Sequence, residues 1–118
     1  MSLSHALIGQ GFNVVRINFR DHGYSEQLNP EVFHSCRLHE MIEACEHVQQ
    51  ELPEQPLSLI GFSLGANFVL RINADSDPSR LRLHRVISFC PVLSAENSLI
   101  ALENGPALYR HYFMYRWR

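Results

Sequence analysis

Residues Gly61-Phe62-Ser63-Leu64-Gly65 place a serine hydroxyl in a setting that allows covalent chemistry. A hydroxyl can attack a carbonyl when it stands exposed on a sharp turn, near donors that stabilise the oxyanion it creates. Leu57, Leu59 and Ile60 read as a short buried strand, and residues 64–72 read as a helix. G-x-S-x-G at a strand–turn–helix junction is the spacing of a nucleophile elbow. Glycines at 61 and 65 are expected to relieve collisions around a serine held in a strained backbone conformation. The helix behind Ser63 directs N–H groups and its positive dipole end at the hydroxyl. Chance alone puts the bare pattern in roughly 3% of chains of ordinary composition. The plainer alternative is a tight strand–helix turn with a capping serine.

The elements that must position this serine follow from periodicity. Residues 4–9 read as the last turns of a helix stopped by Gly9 or Gly11. Val14, Val15, Ile17 and Phe19 predict a strand over 14–19, with the polar loop Arg20-Asp21-His22-Gly23-Tyr24-Ser25 at its C-terminal end. Asn29-Pro30-Glu31 predicts a capped single turn. Leu38, Met41, Ile42, Cys45, Val48 and Leu52 follow a helical repeat over 35–52, closed by Pro53 and Pro56. A third strand is predicted over 85–92 and a helical, aromatic segment from Ser94 onward, with Tyr109, Tyr112, Phe113, Tyr115 and Trp117. That segment is expected to form a pocket wall or a packed cover. Helices alternating with strands in this order imply one α/β domain over residues 1–118, built on a parallel sheet with flanking helices.

Other chemistry-bearing residues compete less well. Gly9-Gln10-Gly11 follows a helix and precedes a strand, the wrong order for a dinucleotide loop. Asp21 and His22 precede Ser63, whereas enzymes with this elbow place acid and base after the serine. Turn and surface hydrogen bonds are the expected use of Arg20 and Asp21. His39, Glu43 and His47 share a helical face in half of an H-E-x-x-H motif, and a solvated face is expected there instead of a metal site. Cys36, Cys45 and Cys90 have no metal-binding spacing and are expected to be reduced and mostly buried, which points to the cytoplasm.

Composition narrows the function classes. A hydrophobic content of 46% is that of a globular chain. The net charge of −2 offers no polyanion-binding surface, so no nucleic-acid partner is expected. No segment has the length of a transmembrane span, and the first residues lack the pattern of a signal peptide.

These residues resemble the α/β-hydrolases. Phe19-Arg20-Asp21-His22-Gly23 is similar to that family's Phe-Arg-Gly-His-Gly, with Asp21 replacing a glycine, and Gly61–Gly65 is similar to its elbow. The chain looks most like the YheT-like (AB hydrolase-4) group. Phe33-His34-Ser35-Cys36 is similar to that group's Phe/Tyr-His-Ser-Gly with Cys36 in place of glycine. Gly61 to Asn67 matches its Gly-Tyr/Phe-Ser-Leu-Gly-Gly/Ala-Asn, and Glu103, Gly105 and Tyr109 resemble its post-strand pattern. The resemblance implies Ser63 as nucleophile and the Leu64 N–H as one oxyanion donor. It implies that the second oxyanion donor lies upstream and that the triad's acid and histidine lie beyond Arg118, since neither His84 nor His111 stands where the base belongs. It also implies a strand outside this chain between the 14–19 and 57–61 strands. The expectation is a partial α/β-hydrolase domain of a serine-type carboxylic-ester hydrolase. It needs no cofactor and acts on a small-molecule, short- to medium-chain or lipid-like acyl ester. A non-catalytic remnant or binding module, and an acyltransferase on the same fold, are the alternatives.

Overall fold

The computed structural model describes residues 2–23, 25–28 and 30–116. Ser2 opens the first helix by accepting the His5 N–H on its hydroxyl, and α1 runs Leu3–Gly9. Of the two glycines expected to stop it, Gly11 takes the left-handed conformation, at φ 86°, and returns its N–H to the Ile8 carbonyl.

Residues 14–19 do not form the predicted strand. Residues 13–18 exchange no backbone hydrogen bond with any described residue. A strand exists only against a partner edge, and β-branched composition carries no information about where that partner lies. The apolar character of the segment finds another use: the Phe19 ring packs on Phe33 and Phe68, with centroids 4.8 and 4.9 Å apart. The predicted turn at residues 29–31 rests on Asn29 and so lies partly outside the described residues. A single 3₁₀ turn lies earlier, at Glu26–Leu28.

Helix α2 spans Leu38–Glu51, starting later than the predicted 35 because Ser35 and Cys36 form a turn that Arg37 closes onto the His34 carbonyl. Strand β1 is Leu57–Phe62, helix α3 is Leu64–Asp75 and strand β2 is Leu83–Phe89. The two strands pair in parallel, Leu59 against Val86, Ile60 against Ile87, Gly61 against Ser88 and Phe62 against Phe89. α3 is the crossover that a parallel pair requires. Phe68 and Ile72 of α3, Cys45 of α2 and Leu81 are buried at 1–2% exposure and form the centre of the core. Leu57, Leu59, Leu83 and the α2 residues Leu38, Met41 and Ile42 pack around Cys45, Ile72 and Leu81.

Strand alternation gives the sheet two unlike faces. Gly61 and Ser88 face α3, where the Ser88 hydroxyl donates to the Ala66 carbonyl at 3.1 Å. Ile60, Phe62, Ile87 and Phe89 fall on the opposite face, where Phe62 and Phe89 stack at 4.8 Å with half their surface in solvent.

Strand β2 stops at Phe89, short of the predicted 92, because Cys90 turns into the left-handed region at φ 48°. Ser94 then caps α4, Ala95–Asn104, by accepting the Asn97 N–H at 3.2 Å. Gly105 and Pro106 separate α4 from α5, Ala107–Arg116. The predicted packed cover is not formed by α5. Its Leu108, Tyr109, Tyr112 and Tyr115 are largely exposed, since α5 packs chiefly on α4 and brings them against no core surface. Trp117 lies outside the described residues. No helix among the described residues is long and apolar enough to cross a membrane.

Candidate active site

Ser63 stands at the C-terminal end of β1 and immediately before α3, at φ 53° and ψ −116°. A β-carbon makes this backbone conformation costly, on the order of 1–3 kcal/mol, so the surroundings must hold it in place. They do so through the main chain. The Ser63 N–H donates to the Phe89 carbonyl at 3.0 Å. The Ser63 carbonyl accepts from Ala66 at 3.1 Å, Asn67 at 3.2 Å and Val92 at 3.4 Å. The serine is exposed and its hydroxyl makes no capping hydrogen bond to α3. A capping serine would satisfy an N–H of the first helical turn, so the plainer alternative does not describe this residue.

The two glycines act differently from expectation. A β-carbon at Gly61 would lie 2.3 Å from the Gly65 carbonyl oxygen and 2.7 Å from the Ala66 nitrogen, so only glycine fits at 61. A β-carbon at Gly65 would meet nothing within 4 Å. The collision therefore runs one way, from position 61 onto the backbone of position 65, because the first turn of α3 folds back over the end of β1. The Leu64 and Gly65 N–H groups donate to no described acceptor. They are the orphan donors of a helix start, next to Ser63.

The remaining candidates are placed elsewhere. Asp21 occupies a left-handed position at φ 61°, where the resembling motif has glycine, and its carboxylate accepts the Phe33 N–H at 2.7 Å. Asp tolerates that conformation better than most residues because its short polar side chain bonds locally. The His22 Nδ1 lies 2.8 Å from the Arg20 carbonyl, and its ring meets Phe19 and Phe33 edge-on. His84 lies near the start of β2. The parallel register sets it beside the start of β1, about 20 Å from the serine at ~3.3 Å per residue. The His111 Nδ1 lies 2.7 Å from the Ala107 carbonyl within α5. His39, Glu43 and His47 are exposed along α2.

The expectation of mostly buried thiols is also corrected. Cys45 alone is buried, and burial first, with the neighbouring Glu46 charge second, pushes its thiol up to about 11. Cys36 and Cys90 are exposed because one sits in the turn before α2 and the other at the strand end.

A shallow cavity of about 380 Å³ lies away from the elbow, lined by residues that include Ile17, Arg20, His22, Leu28 and Met41; Ser63 does not line it. Its polar wall belongs to a network that spacing did not reveal. Arg20 grips Glu40 with two hydrogen bonds, at 2.6 and 3.1 Å, while Arg37 joins Glu40 at 2.7 Å and Glu31 at 2.6 Å. The Arg20 hydrogen bond above all, then that of Arg37, holds the Glu40 carboxyl down at about 2, against an opposing contribution from burial. The network fastens the loop that follows residue 19 to α2. Gln49, buried on α2, does similar work nearby. Its amide donates to the Leu52 and Gln55 carbonyls, and its oxygen accepts the Arg82 N–H, tying the entry of β1 to the entry of β2. The Arg20–Glu40 and Gln49–Arg82 contacts join residues 20 and 33 positions apart and leave no mark in local pattern.

A serine held at positive φ between a parallel strand and its crossover helix, with free N–H groups behind it, defines the α/β-hydrolase class. A family model described as Hydrolase_4, "Serine aminopeptidase, S33", matches residues 1–114, and the chain belongs to this α/β-hydrolase family. No curated protein and no solved structure matches it. The parallel sheet and flanking helices described above are part of that family's fold.

Proposed function

We propose that this chain carries the nucleophile of a serine-type carboxylic-ester hydrolase, most similar to the YheT-like group. Ser63 attacks the ester carbonyl, the Leu64 N–H donates one hydrogen bond to the resulting oxyanion, the alcohol leaves as the acyl-enzyme forms, and water then releases the acyl group as the carboxylic acid. The observation that carries this reading is the backbone of Ser63, strained at φ 53° and ψ −116° with both following N–H groups free. Backbone strain of this kind clusters at functional sites, where it can be part of the mechanism.

The family description names an aminopeptidase, which must also recognise a free amino group. The segments joined to Ser63, residues 61–65 and 89–93, contain no carboxylate; they contribute Phe62, Leu64, Phe89, Val92 and Leu93. Apolar side chains beside the serine, with no carboxylate among them, favour an apolar acyl portion over a charged amine. The base and acid of the triad, and the second oxyanion donor, are assigned to residues outside positions 1–118. His22 and His111 each have a ring nitrogen engaged by a nearby carbonyl, and His84 stands at the far end of the sheet.

A fluorophosphonate probe tests the reading, because it captures a serine only when that serine is activated. The protein expressed from its whole reading frame is expected to label and to hydrolyse p-nitrophenyl acyl esters, and Ser63→Ala to abolish both. Residues 1–118 alone are expected to turn over no faster than buffer. Loss of a base and of an oxyanion donor, the latter worth about 3–4 kcal/mol, acts on one catalytic unit. Hydrolysis that survives Ser63→Ala in the extended protein would overturn the nucleophile assignment. Absence of labelling in the extended protein would favour the non-catalytic reading, and transfer to an acceptor other than water the acyltransferase one.

A further inference from the structure

Asn67 lies one helical turn after Ser63, and neither the elbow pattern nor the proposed chemistry assigns it a role. The Asn67 backbone N–H donates to the Ser63 carbonyl at 3.2 Å, and its side-chain amide donates to the Val92 carbonyl at 2.9 Å. Val92 in turn sends its own N–H to the same Ser63 carbonyl at 3.4 Å. Ser63, Asn67 and residue 92 thus close a ring of hydrogen bonds in which one side chain takes part. The loop leaving β2 reaches Val92 only after Cys90 has turned through φ 48°. The two segments this ring joins each carry a non-glycine residue at positive φ, Ser63 and Cys90, and neither conformation is favourable by itself.

On the far side, the Asn67 oxygen accepts from Arg71 at 3.4 Å, and Arg71 donates to the Ser35 carbonyl at 2.8 Å while lying over the Phe68 ring. The amide is thereby oriented with its NH₂ toward Val92 and its oxygen toward a cation. The opposite orientation would set NH₂ against guanidinium and oxygen against carbonyl. A half-buried amide used in both directions is a fixed strut between two loops.

We propose that Asn67 is a positioning residue for Ser63: its side chain locks the Cys90–Leu93 loop onto the elbow, and that loop holds the serine backbone in its strained conformation. The structural part of this proposal, that Asn67 secures the loop, does not need Ser63 to be a nucleophile; the consequence for reactivity rests on the esterase reading above.

Asn67→Asp is the sharpest variant. It keeps the shape and the acceptor toward Arg71, but it removes the donor and turns a charged oxygen toward the Val92 carbonyl. Cys90, exposed on the loop, reports the outcome in a Cys36→Ser background, where the remaining thiol, Cys45, is buried. Relative to the Cys36→Ser parent, Asn67→Asp is expected to raise the rate of Cys90 modification by Ellman's reagent at least 5-fold. Amide exchange at Val92 is expected to rise similarly, while exchange at Ile72 in the middle of α3 stays unchanged. In the protein expressed from its whole reading frame, the same substitution is expected to slow fluorophosphonate labelling of Ser63 about 10-fold and to lower kcat with little change in KM. Parent-like Cys90 reactivity and Val92 exchange in Asn67→Asp would overturn the proposal. If the variant does not fold, the unsubstituted protein decides: Val92 exchange as slow as that of Ala66 supports the proposal, and exchange at the rate of a free loop amide overturns it. Loosening of the loop by Asn67→Asp in a protein whose parent never labels would sink the esterase reading and leave the strut standing.

Discussion

At Ser63 the backbone holds strain that a glycine would release. Ser63→Gly is therefore expected to raise stability by about 1 kcal/mol, read as a higher melting temperature, while removing the hydroxyl on which the proposed chemistry depends. A melting temperature unchanged or lowered would mean that the conformation costs nothing here. The two elbow glycines make a paired test. Gly61→Ala drives a β-carbon into the Gly65 carbonyl, a clash with backbone that no rotamer relieves, and is expected to cost about 2–3 kcal/mol in denaturant unfolding. Gly65→Ala points into open space inside a helix and is expected to be neutral, or stabilising by up to about 1 kcal/mol. Equal effects at the two positions would contradict the one-sided geometry.

Between elements, the tie from the loop at Arg20 to α2 depends on an ionised Glu40. Its carboxyl titrates at about 2 in the folded chain, below its ordinary value near 4.5. A depressed carboxylate adds stability that is fully present above its unfolded value and is lost as pH falls through the folded one. The loop is thus expected to loosen between about pH 4.5 and pH 2, seen as faster amide exchange at Phe33, whose N–H is held by Asp21 on that loop. Glu40→Gln should remove the part of this pH dependence that Glu40 contributes. At neutral pH it should cost about 1 kcal/mol, the upper range for partly exposed pairs. An unchanged acid profile in Glu40→Gln would show that the network contributes nothing.

Taken whole, the molecule exposes more surface than its length leads one to expect. A compact chain of 118 residues has a radius of gyration of about 13.5 Å and an accessible surface of roughly 6,600 Å² by general scaling. The values here are 16.2 Å and 9190 Å². Part of the excess is apolar and contiguous: Ile87, Phe62 and Phe89 line one side of a two-stranded sheet whose outer edges are unpaired among the described residues. Exposed edges beside apolar faces invite association. Residues 1–118 expressed alone are expected to bind the dye ANS and to self-associate with rising concentration in sedimentation velocity. A monomer that binds no dye and melts in one sharp transition would count against this.

Local chemistry was legible where local chemistry decides the structure. The G-x-S-x-G spacing, the apolar run before it and the amphipathic repeat after it were enough to place a strand, a sharp turn and a helix around Ser63. Each depends on residues within a few positions of one another. The periodicity of residues 38–52 likewise sufficed for α2. Partnership was not legible. Val14, Val15, Ile17 and Phe19 have the composition of a strand, but pairing is made by hydrogen bonds to another segment, and 13–18 meets none among the described residues. The aromatic run of α5 reads as a cover, yet packing needs a surface opposite, and its tyrosine rings are exposed. Only the folded chain sets Arg20 on Glu40, Gln49 on the Arg82 backbone and Asn67 on Val92. These side chains find their partners through space, after the helices and strands have already been placed.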